Sequence, residues 1–194
     1  MTKLALAMVV AGAASASIVG CHDGKDRPVT HSTTITVFDG YGLGCDVTVN
    51  GIAADEDING AYILTTSQEL DDGAVISASN CTDADTHTIL PTLLGVSQSG
   101  GAAVSPITTL IVAAAVKAGG DPANLTAEAL TSAKNAVVTK LGLGSYDPTN
   151  PATANYVKDV NDNAASQQQM QLALALTTLL KTLEKAAGEN AEAA

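Results

Sequence analysis

The chain contains no tryptophan and only one phenylalanine among its 194 residues. A protein that stacks sugar rings on aromatic side chains needs several of them on one face, so the composition does not favour that class of carbohydrate binder. The sequence also lacks a phosphate-cradling glycine loop and the Cys-x-x-Cys-His motif of covalent c-type haem. No cofactor is therefore indicated by a motif.

Basic residues are scarce as well. Nine Lys and Arg stand against twenty Asp and Glu, the formal net charge is −11, and no Lys or Arg occurs from Pro28 to Val116. Such a surface repels nucleic acid and anionic lipid headgroups, so we expect neither as a partner. Solubility outside the cytoplasm explains the acidity, and attraction of Ca²⁺ to unpaired carboxylates is the alternative explanation.

Catalytic patterns are missing too. The histidines are His22, His31 and His87, and none has metal-ligand spacing with a cysteine or another histidine. The segment 95–99 differs from the nucleophile elbow because Ser99 stands where glycine is required. A hydrolase in which His87 acts with a serine and a carboxylate is one alternative, but we expect the protein not to be an enzyme.

The first twenty residues have the layout of an export signal. Lys3 is followed by the uncharged apolar stretch Leu4–Ser17, which is too short and too rich in Ala and Ser for a stable membrane span. The stretch ends in Ile18-Val19-Gly20-Cys21, which resembles the lipobox of bacterial lipoproteins. That resemblance implies cleavage before Cys21, diacylglycerol on its sulfur and an acyl chain on its amine. Ordinary signal cleavage at Ala14-Ser15-Ala16 is the alternative.

The number of cysteines favours the lipobox. The sequence has three cysteines, Cys21, Cys45 and Cys81. In an exported protein, a free thiol that remains after disulfide pairing is uncommon. If lipid occupies Cys21, a Cys45–Cys81 disulfide accounts for the others, and its loop of about 36 residues contributes about 4 kcal/mol.

A lipid on Cys21 makes the membrane a partner, because two or three acyl chains anchor a protein firmly. We therefore expect a lipid-anchored protein of the bacterial cell envelope. His22 follows the cysteine that is expected to carry the lipid. In certain Gram-negative bacteria an Asp at this position keeps a lipoprotein from the outer membrane. Under that rule His22 permits delivery to the outer membrane or cell surface.

After the signal, 1–20, and a polar tether, 21–32, the region 33–101 reads as a β-domain. Ile35 and Val37 alternate with threonine, which is the period-2 pattern of half-buried strands. Short runs of this kind between Gly, Asn and Asp residues predict a small antiparallel β-sandwich. The expected strands are Thr33–Phe38, Cys45–Val49, Ala61–Thr65, Ala74–Ser79 and Thr86–Leu90.

The region 102–187 predicts a bundle of three to four helices, so the fold class is α+β. Ser105-Pro106 is an N-cap followed by proline at the first helical position, and a leucine stripe marks the last helix. The tail, 188–194, is expected to fray. The expected helices are one from Pro106 that stops at Gly119-Gly120, a second from about Thr126 to Leu141, a third from near Ala152 with Tyr156 as an apolar residue, and a fourth from about Ala165 to Ala187.

Several segments follow one another along the chain: Thr36–Tyr41, Asp55–Tyr62, Thr82–Thr86, Val104–Leu110 and Leu141–Gly144 with Asp147-Pro148. Their order and spacing resemble a module of bacterial surface and adhesin-like proteins. In that module a small β-domain of the carboxypeptidase-regulatory or Ig-like kind precedes a helical domain. The Ser-Pro-x-Thr-Thr-Leu motif at 105–110 is the most specific of the matches. The resemblance implies surface display with a binding or structural role, and it transfers no catalytic residue.

One segment matches the first half of a calcium-binding loop. Asp55, Asp57 and Asn59 place oxygens at alternate positions before Gly60, but the twelfth position, where a bidentate Glu belongs, is Thr66. Asn-Gly directly before a strand also indicates a hairpin turn, so a turn alone and a turn with Ca²⁺ both stay open. Asp83 and Asp85, near Cys81, are a second candidate pair of oxygen ligands.

Together these features predict a lipid-anchored cell-surface protein with a non-enzymatic structural or binding role. Its partner is an unknown protein or a second copy of itself. The alternative is a subunit of a homo-oligomeric or filamentous surface assembly, in which strand edges or the leucine stripe pack between copies.

Overall fold

The computed structural model describes residues 29–158 and 160–192. The predicted signal, Cys21 and most of the tether lie outside this range. The described part contains three helices, α1 (Pro106–Lys117), α2 (Ala127–Leu141) and α3 (Ala164–Glu192). It also contains ten strands: β1 (His31–Val37), β2 (Gly42–Leu43), β3 (Asp46–Val49), β4 (Ile52–Ala53), β5 (Asp55–Glu56), β6 (Tyr62–Thr66), β7 (Val75–Ser79), β8 (Thr82–Asp83), β9 (Leu93–Gln98) and β10 (Gly101–Val104).

Eight of these strands form one mixed sheet in the order β4-β3-β7-β9-β10-β1-β6-β5, and β2 pairs with β8 in a separate ribbon. Among the described strands only β1 and β10 pair in parallel. The two edge strands, β4 and β5, are consecutive in sequence with Ala54 alone between them. The chain therefore steps from one edge of the sheet to the other at this residue, and the sheet is nearly barrel-shaped.

The α+β class is confirmed, whereas the antiparallel sandwich is not. One curved sheet that nearly closes takes the place of two sheets packed face to face, and it contains a parallel pair. The bundle is not confirmed either, because α2 and α3 each contact α1 while α1 itself lies on β9. The predicted boundary at 101–102 falls at β10, which lies inside the sheet between β9 and β1.

Three clusters of apolar side chains result from this arrangement, and strand β9 contributes buried residues to two of them. The concave side of the sheet encloses a core that includes Ile35, Val47, Ile76 and Leu93. On the other side Val96 of β9 packs with residues of α1 and α2. Alternate residues of β9 therefore serve different cores, as the pleat of a strand requires.

The Ser-Pro-x-Thr-Thr segment attaches α1 to β9. Ser105 caps the helix and forms a capping box with Thr108, as its sequence predicts. The Thr108 hydroxyl donates to the carbonyl oxygen of Leu94 at 2.6 Å, and the backbone N–H of Leu94 donates to the Thr109 hydroxyl at 2.8 Å. All three polar side chains are buried, so the motif satisfies both the helix start and the neighbouring strand.

Two predicted elements are wrong. No strand spans Thr86–Leu90, because Asp83 Oδ1 accepts the N–H groups of residues 85 and 86 and turns the chain back. No helix begins near Ala152, because Asn150 and Asn155 accept nearby backbone N–H groups in local turns that compete with a helix. Tyr156 is nevertheless buried, as its apolar character predicts.

Helix α3 also differs from its predicted end. It continues past Ala187 to Glu192, so most of the predicted tail is helical. Helix α2 ends where expected, with Gly142 in the left-handed conformation at φ 65°, which glycine adopts without strain.

Cys45 and Cys81 lie at disulfide distance, with Cα atoms 4.1 Å apart. Both are buried in the concave core. Beside them the Tyr62 hydroxyl accepts the N–H of Cys45 at 2.8 Å and donates to the carbonyl oxygen of Gly42 at 3.2 Å. The disulfide therefore joins the start of β3 to the start of the β8 ribbon under a buried tyrosine.

We expect the double substitution Cys45→Ala and Cys81→Ala to lower the free energy of unfolding by about 4 kcal/mol, because the open chain regains the entropy of a 36-residue loop. Urea unfolding followed by circular dichroism measures this change. Reduction of the unsubstituted protein should produce a similar loss. An unchanged midpoint in both cases would contradict the structural role of the bridge.

Candidate functional site

The predicted calcium loop folds as a tight turn. Asp57 Oδ1 accepts the backbone N–H of Asn59 at 2.8 Å and that of Ala61 at 2.9 Å. These hydrogen bonds from residues 61 and 59 lower the pKa of the exposed Asp57 carboxyl. Asp55 lies in the edge strand β5. The segment therefore forms the predicted turn. Binding of Ca²⁺ by Asp55, Asp57 and Asn59 stays a prediction.

Asp83 and Asp85, the second candidate pair of oxygen ligands, differ in burial. Asp83 is buried, and its Oδ1 accepts the N–H groups of Asp85 and Thr86 and the Thr86 hydroxyl at 2.6–3.0 Å. Asp85 and His87 are exposed on the turn that these bonds form. Across the described ranges, no group of three or more His, Cys, Asp or Glu side chains is placed to hold a metal ion.

A buried carboxyl lies where the sheet meets α3. Asp39 follows β1 and is 1% exposed. Its Oδ2 accepts a hydrogen bond from the Thr177 hydroxyl of α3, whereas its Oδ1 has no partner within the described part of the chain. Close packing requires the adjacent glycine, because a Cβ at Gly40 would overlap Oδ2 of Asp83. The result is two buried acidic side chains close to one another, of which Asp39 contacts α3.

Burial raises the pKa of Asp39 to about 6. The hydrogen bond from Thr177 opposes the rise, the neighbouring Asp83 carboxylate adds to it, and Lys181 on α3 opposes it. At neutral pH the charged form of Asp39 is therefore held in an environment that favours the neutral acid.

Tyr156 completes this enclosed group. Its ring packs edge-on against Phe38 with centroids 5.1 Å apart. Its hydroxyl is buried and has no hydrogen-bond partner among the described residues. Burial raises the pKa of Tyr156, and the nearby Asp39 charge raises it further. Asp39, Asp83, Thr177 and Tyr156 thus form a buried polar joint between the end of β1 and α3, which we call the Asp39 joint.

A separate polar cleft of about 570 Å³ opens at the start of β1. Three segments line it: His31–Thr34 of β1, the loop Glu69–Asp72 between β6 and β7, and the β9–β10 hairpin at Ser97–Gly101. The hydroxyl of buried Ser97 donates to the carbonyl oxygen of Asp71 and so holds the loop against the hairpin. We call this feature the acidic cleft.

The charge of the acidic cleft has one sign. Glu69, Asp71 and Asp72 are exposed carboxylates in its lining, and none of the described lining residues is Lys or Arg. Lys134 of α2 lines an adjoining pocket with Asp72. Its ammonium group is already paired with Asp147 at 2.7 Å. Among the described residues, therefore, no Lys or Arg is ion-paired with these three carboxylates, and carboxylates of this kind attract cations.

Neither the acidic cleft nor the Asp39 joint was predicted from the sequence. A local signal existed for both, namely the Glu-x-Asp-Asp cluster at 69–72 and the carboxylate of Asp39-Gly40 directly after an alternating strand. Neither signal tells which segments meet in space. Cys21 lies outside the described residues, so the structure does not place it relative to either site.

Comparison with known proteins identifies no relative. No protein-family model, curated protein or solved structure matches the chain. None of the described helices is long and apolar enough to cross a membrane.

We expect Asp39→Asn to stabilise the protein at neutral pH and to have a much smaller effect at pH 4. The pKa of Asp39 is raised from 3.8 to about 6 in the folded state, so folding favours the protonated acid. The wild-type stability contributed by this group is full below the unfolded pKa and is lost as pH rises through the folded pKa. The shift is equivalent to about 3 kcal/mol at neutral pH.

Urea unfolding of Asp39→Asn and wild type at pH 4 and pH 7 measures the difference. Asp162→Asn, an exposed carboxylate on the segment before α3, is the matched control and should show no such pH dependence. A stability difference for Asp39→Asn that is equal at the two pH values would contradict burial of the charge.

Proposed function

We propose that the protein is a lipid-anchored protein of the bacterial cell surface with a non-enzymatic binding role, and that the acidic cleft is its binding surface. The lipobox-like Ile18-Val19-Gly20-Cys21 supports the anchor. We also propose that the protein is delivered to the outer membrane, because His22, and not Asp, follows Cys21. The cleft begins at His31, ten residues after Cys21 in the sequence, so the binding surface lies close to the anchor along the chain.

The observation that carries the binding role is the one-signed charge of the cleft. Three carboxylates line about 570 Å³ of polar space, and the chain has no Lys or Arg between residues 28 and 116 to neutralise them. A surface of this kind raises the local concentration of cations. The ligand is therefore a cationic group, and for a surface protein we propose the Lys or Arg side chains of a partner protein.

Two observations weigh against the hydrolase alternative. His87, which that alternative requires, is exposed on a turn and its backbone has φ 54°. Ser97, the serine of the elbow-like segment, is buried and its hydroxyl donates to a backbone carbonyl. The Ser97 hydroxyl is thus engaged by a backbone carbonyl where a nucleophile must be free, and His87 is exposed where a general base must lie beside that serine. The binding role is the better supported of the two.

A homo-oligomeric assembly is the second candidate function, and the exposed flank of α3 favours it. Leu179 is 49% exposed and Leu183 is 56% exposed. The spacing of four residues places them on one face of the helix. The strand edges favour assembly less, because β4 and β5 have two residues each and short edge strands offer few groups for pairing.

We expect Asp71→Asn with Asp72→Asn to weaken binding of a fluorescent oligolysine peptide to cells that display the full chain. Loss of two exposed charges corresponds to about a tenfold change at low ionic strength, and the difference should shrink as salt is added. Flow cytometry of the cells measures the bound peptide. The control, Asp85→Asn with Asp162→Asn, removes the same charge from exposed positions outside the cleft lining.

Fractionation of the same cells tests the anchor: Cys21→Ser should move the protein from the membrane fraction to the soluble fraction. Equal peptide binding by the cleft variant and its control would reject the acidic cleft as the binding surface. Retention of Cys21→Ser in the membrane fraction would reject lipid anchoring.

For the second candidate, light scattering of the full chain carrying Cys21→Ser should show a concentration-dependent increase in mass that Leu179→Gln with Leu183→Gln abolishes. The matched control is Leu174→Gln, which removes a leucine that is also 49% exposed but lies five residues before Leu179, and so on another side of the same helix, and it should leave the increase unchanged. A monomer at every concentration would reject self-association through this face.

A further inference from the structure

A groove of about 660 Å³ runs along the outer face of the sheet beside α1. Its floor is a row of paired residues across three strands: Thr48 of β3, Ser77 of β7 and Leu94 of β9. Val112 and Val116 of α1 form its wall. Helix α1 packs on β9, and the small side chains of β3 and β7 leave open space next to it.

The groove is lined mainly by apolar groups, and its one charged lining residue is Lys117. Lys117 lies in the last turn of α1 and is the first basic residue after Arg27 in the sequence. It has no ion pair in the described part of the chain. The neighbouring turn contains the carboxylate of Asp121, whose Oδ1 accepts the N–H of Ala123 at 2.8 Å.

These features select the chemistry of an occupant. A volume of about 660 Å³ lies within the range of small-molecule sites, roughly 300–1,000 Å³. The lining is mainly apolar, with few polar groups such as Thr48 and Ser77, so a highly polar ligand would leave most of its hydrogen bonds unmade. A chain of methylene groups instead gains free energy from burial of its apolar surface. An unpaired ammonium group at one end complements a single negative charge. The acidic cleft, by contrast, has three carboxylates and no ammonium group in its lining.

We propose that this groove binds a free long-chain carboxylate. The acyl chain lies on the floor formed by Thr48, Ser77 and Leu94, against Val112 and Val116, and the carboxylate pairs with the ammonium group of Lys117. Apolar contact supplies most of the affinity, and Lys117 supplies the preference for an anionic head. This site is separate from the acidic cleft, so it does not depend on the proposed binding of cations.

The test uses the full chain carrying Cys21→Ser, so that no lipid anchor of its own competes for the groove. A dansyl-labelled fatty acid is the fluorescent probe, and oleate and oleyl alcohol are the competitors. We expect oleate to displace the probe. Lys117→Gln should weaken displacement by oleate about threefold to fivefold, as for one partly exposed ion pair, and leave displacement by oleyl alcohol unchanged.

The matched control is Lys140→Gln, which removes the last-turn lysine of α2 and should alter neither competitor. Ser77→Phe fills the floor and should weaken both competitors, with the circular dichroism spectrum reporting that the fold is kept. Failure of oleate to displace the probe would overturn the proposal. So would equal weakening by Lys117→Gln and Lys140→Gln, or equal weakening of oleate and oleyl alcohol by Lys117→Gln.

Discussion

Burial of β10 on both faces is the constraint on which the rest of the structure depends. All four of its residues, Gly101–Val104, are buried. It pairs in parallel with β1 and antiparallel with β9, and the next residue, Ser105, caps α1. Ala102 and Val104 face the concave core while Ala103 packs in a second cluster with Phe38. One short strand therefore fixes the sheet, the start of α1 and the position of the helical layer.

The Asp39 joint shows how the helical layer is held to the sheet by polar as well as apolar contacts. Thr177 of α3 donates to the carboxyl that follows β1, and the charge of Lys181 on the same helix lowers the pKa of that carboxyl. Farther along α3, Glu184 accepts the N–H of Thr92 at 2.7 Å. A buried carboxyl with an unpartnered oxygen destabilises a protein at neutral pH. This destabilisation acts where α3 packs on the end of β1. Protonation of Asp39 therefore changes the stability of the contact between the helical layer and the sheet.

Two open surfaces on the protein differ in chemistry because they lie on different parts of the sheet. The acidic cleft is made by the first half of β1 and two loops, and loops carry the polar residues of the chain. The groove beside α1 is made by the outer face of three strands and one helix, so apolar side chains line it. The positions of two basic residues add to this difference. Lys117 lines the groove, whereas Lys134, in a pocket that adjoins the acidic cleft, is already paired with Asp147.

Local patterns predicted several elements well. The alternation around Ile35 and Val47 identified β1 and β3, Ser105-Pro106 identified the start of α1, and Gly142 identified the end of α2. These features depend on residues that are close in sequence, such as a cap or a turn. β9 and β10 were not expected, because strands buried on both faces show no alternation of polar and apolar residues.

The amino-acid sequence by itself determined the acidic charge, and it predicted the α+β class and the limits of the first two helices. Only the tertiary structure decided that one nearly closed sheet replaces a sandwich, because β10 returns to pair beside β1. It also decided which carboxylates are buried and which line a cleft. Asp39 and Asp71 are chemically alike, and their difference arises because α3 covers the first and no element covers the second. Such differences in solvation depend on contacts between residues far apart in the chain, such as Asp39 and Thr177, and no local pattern contains them.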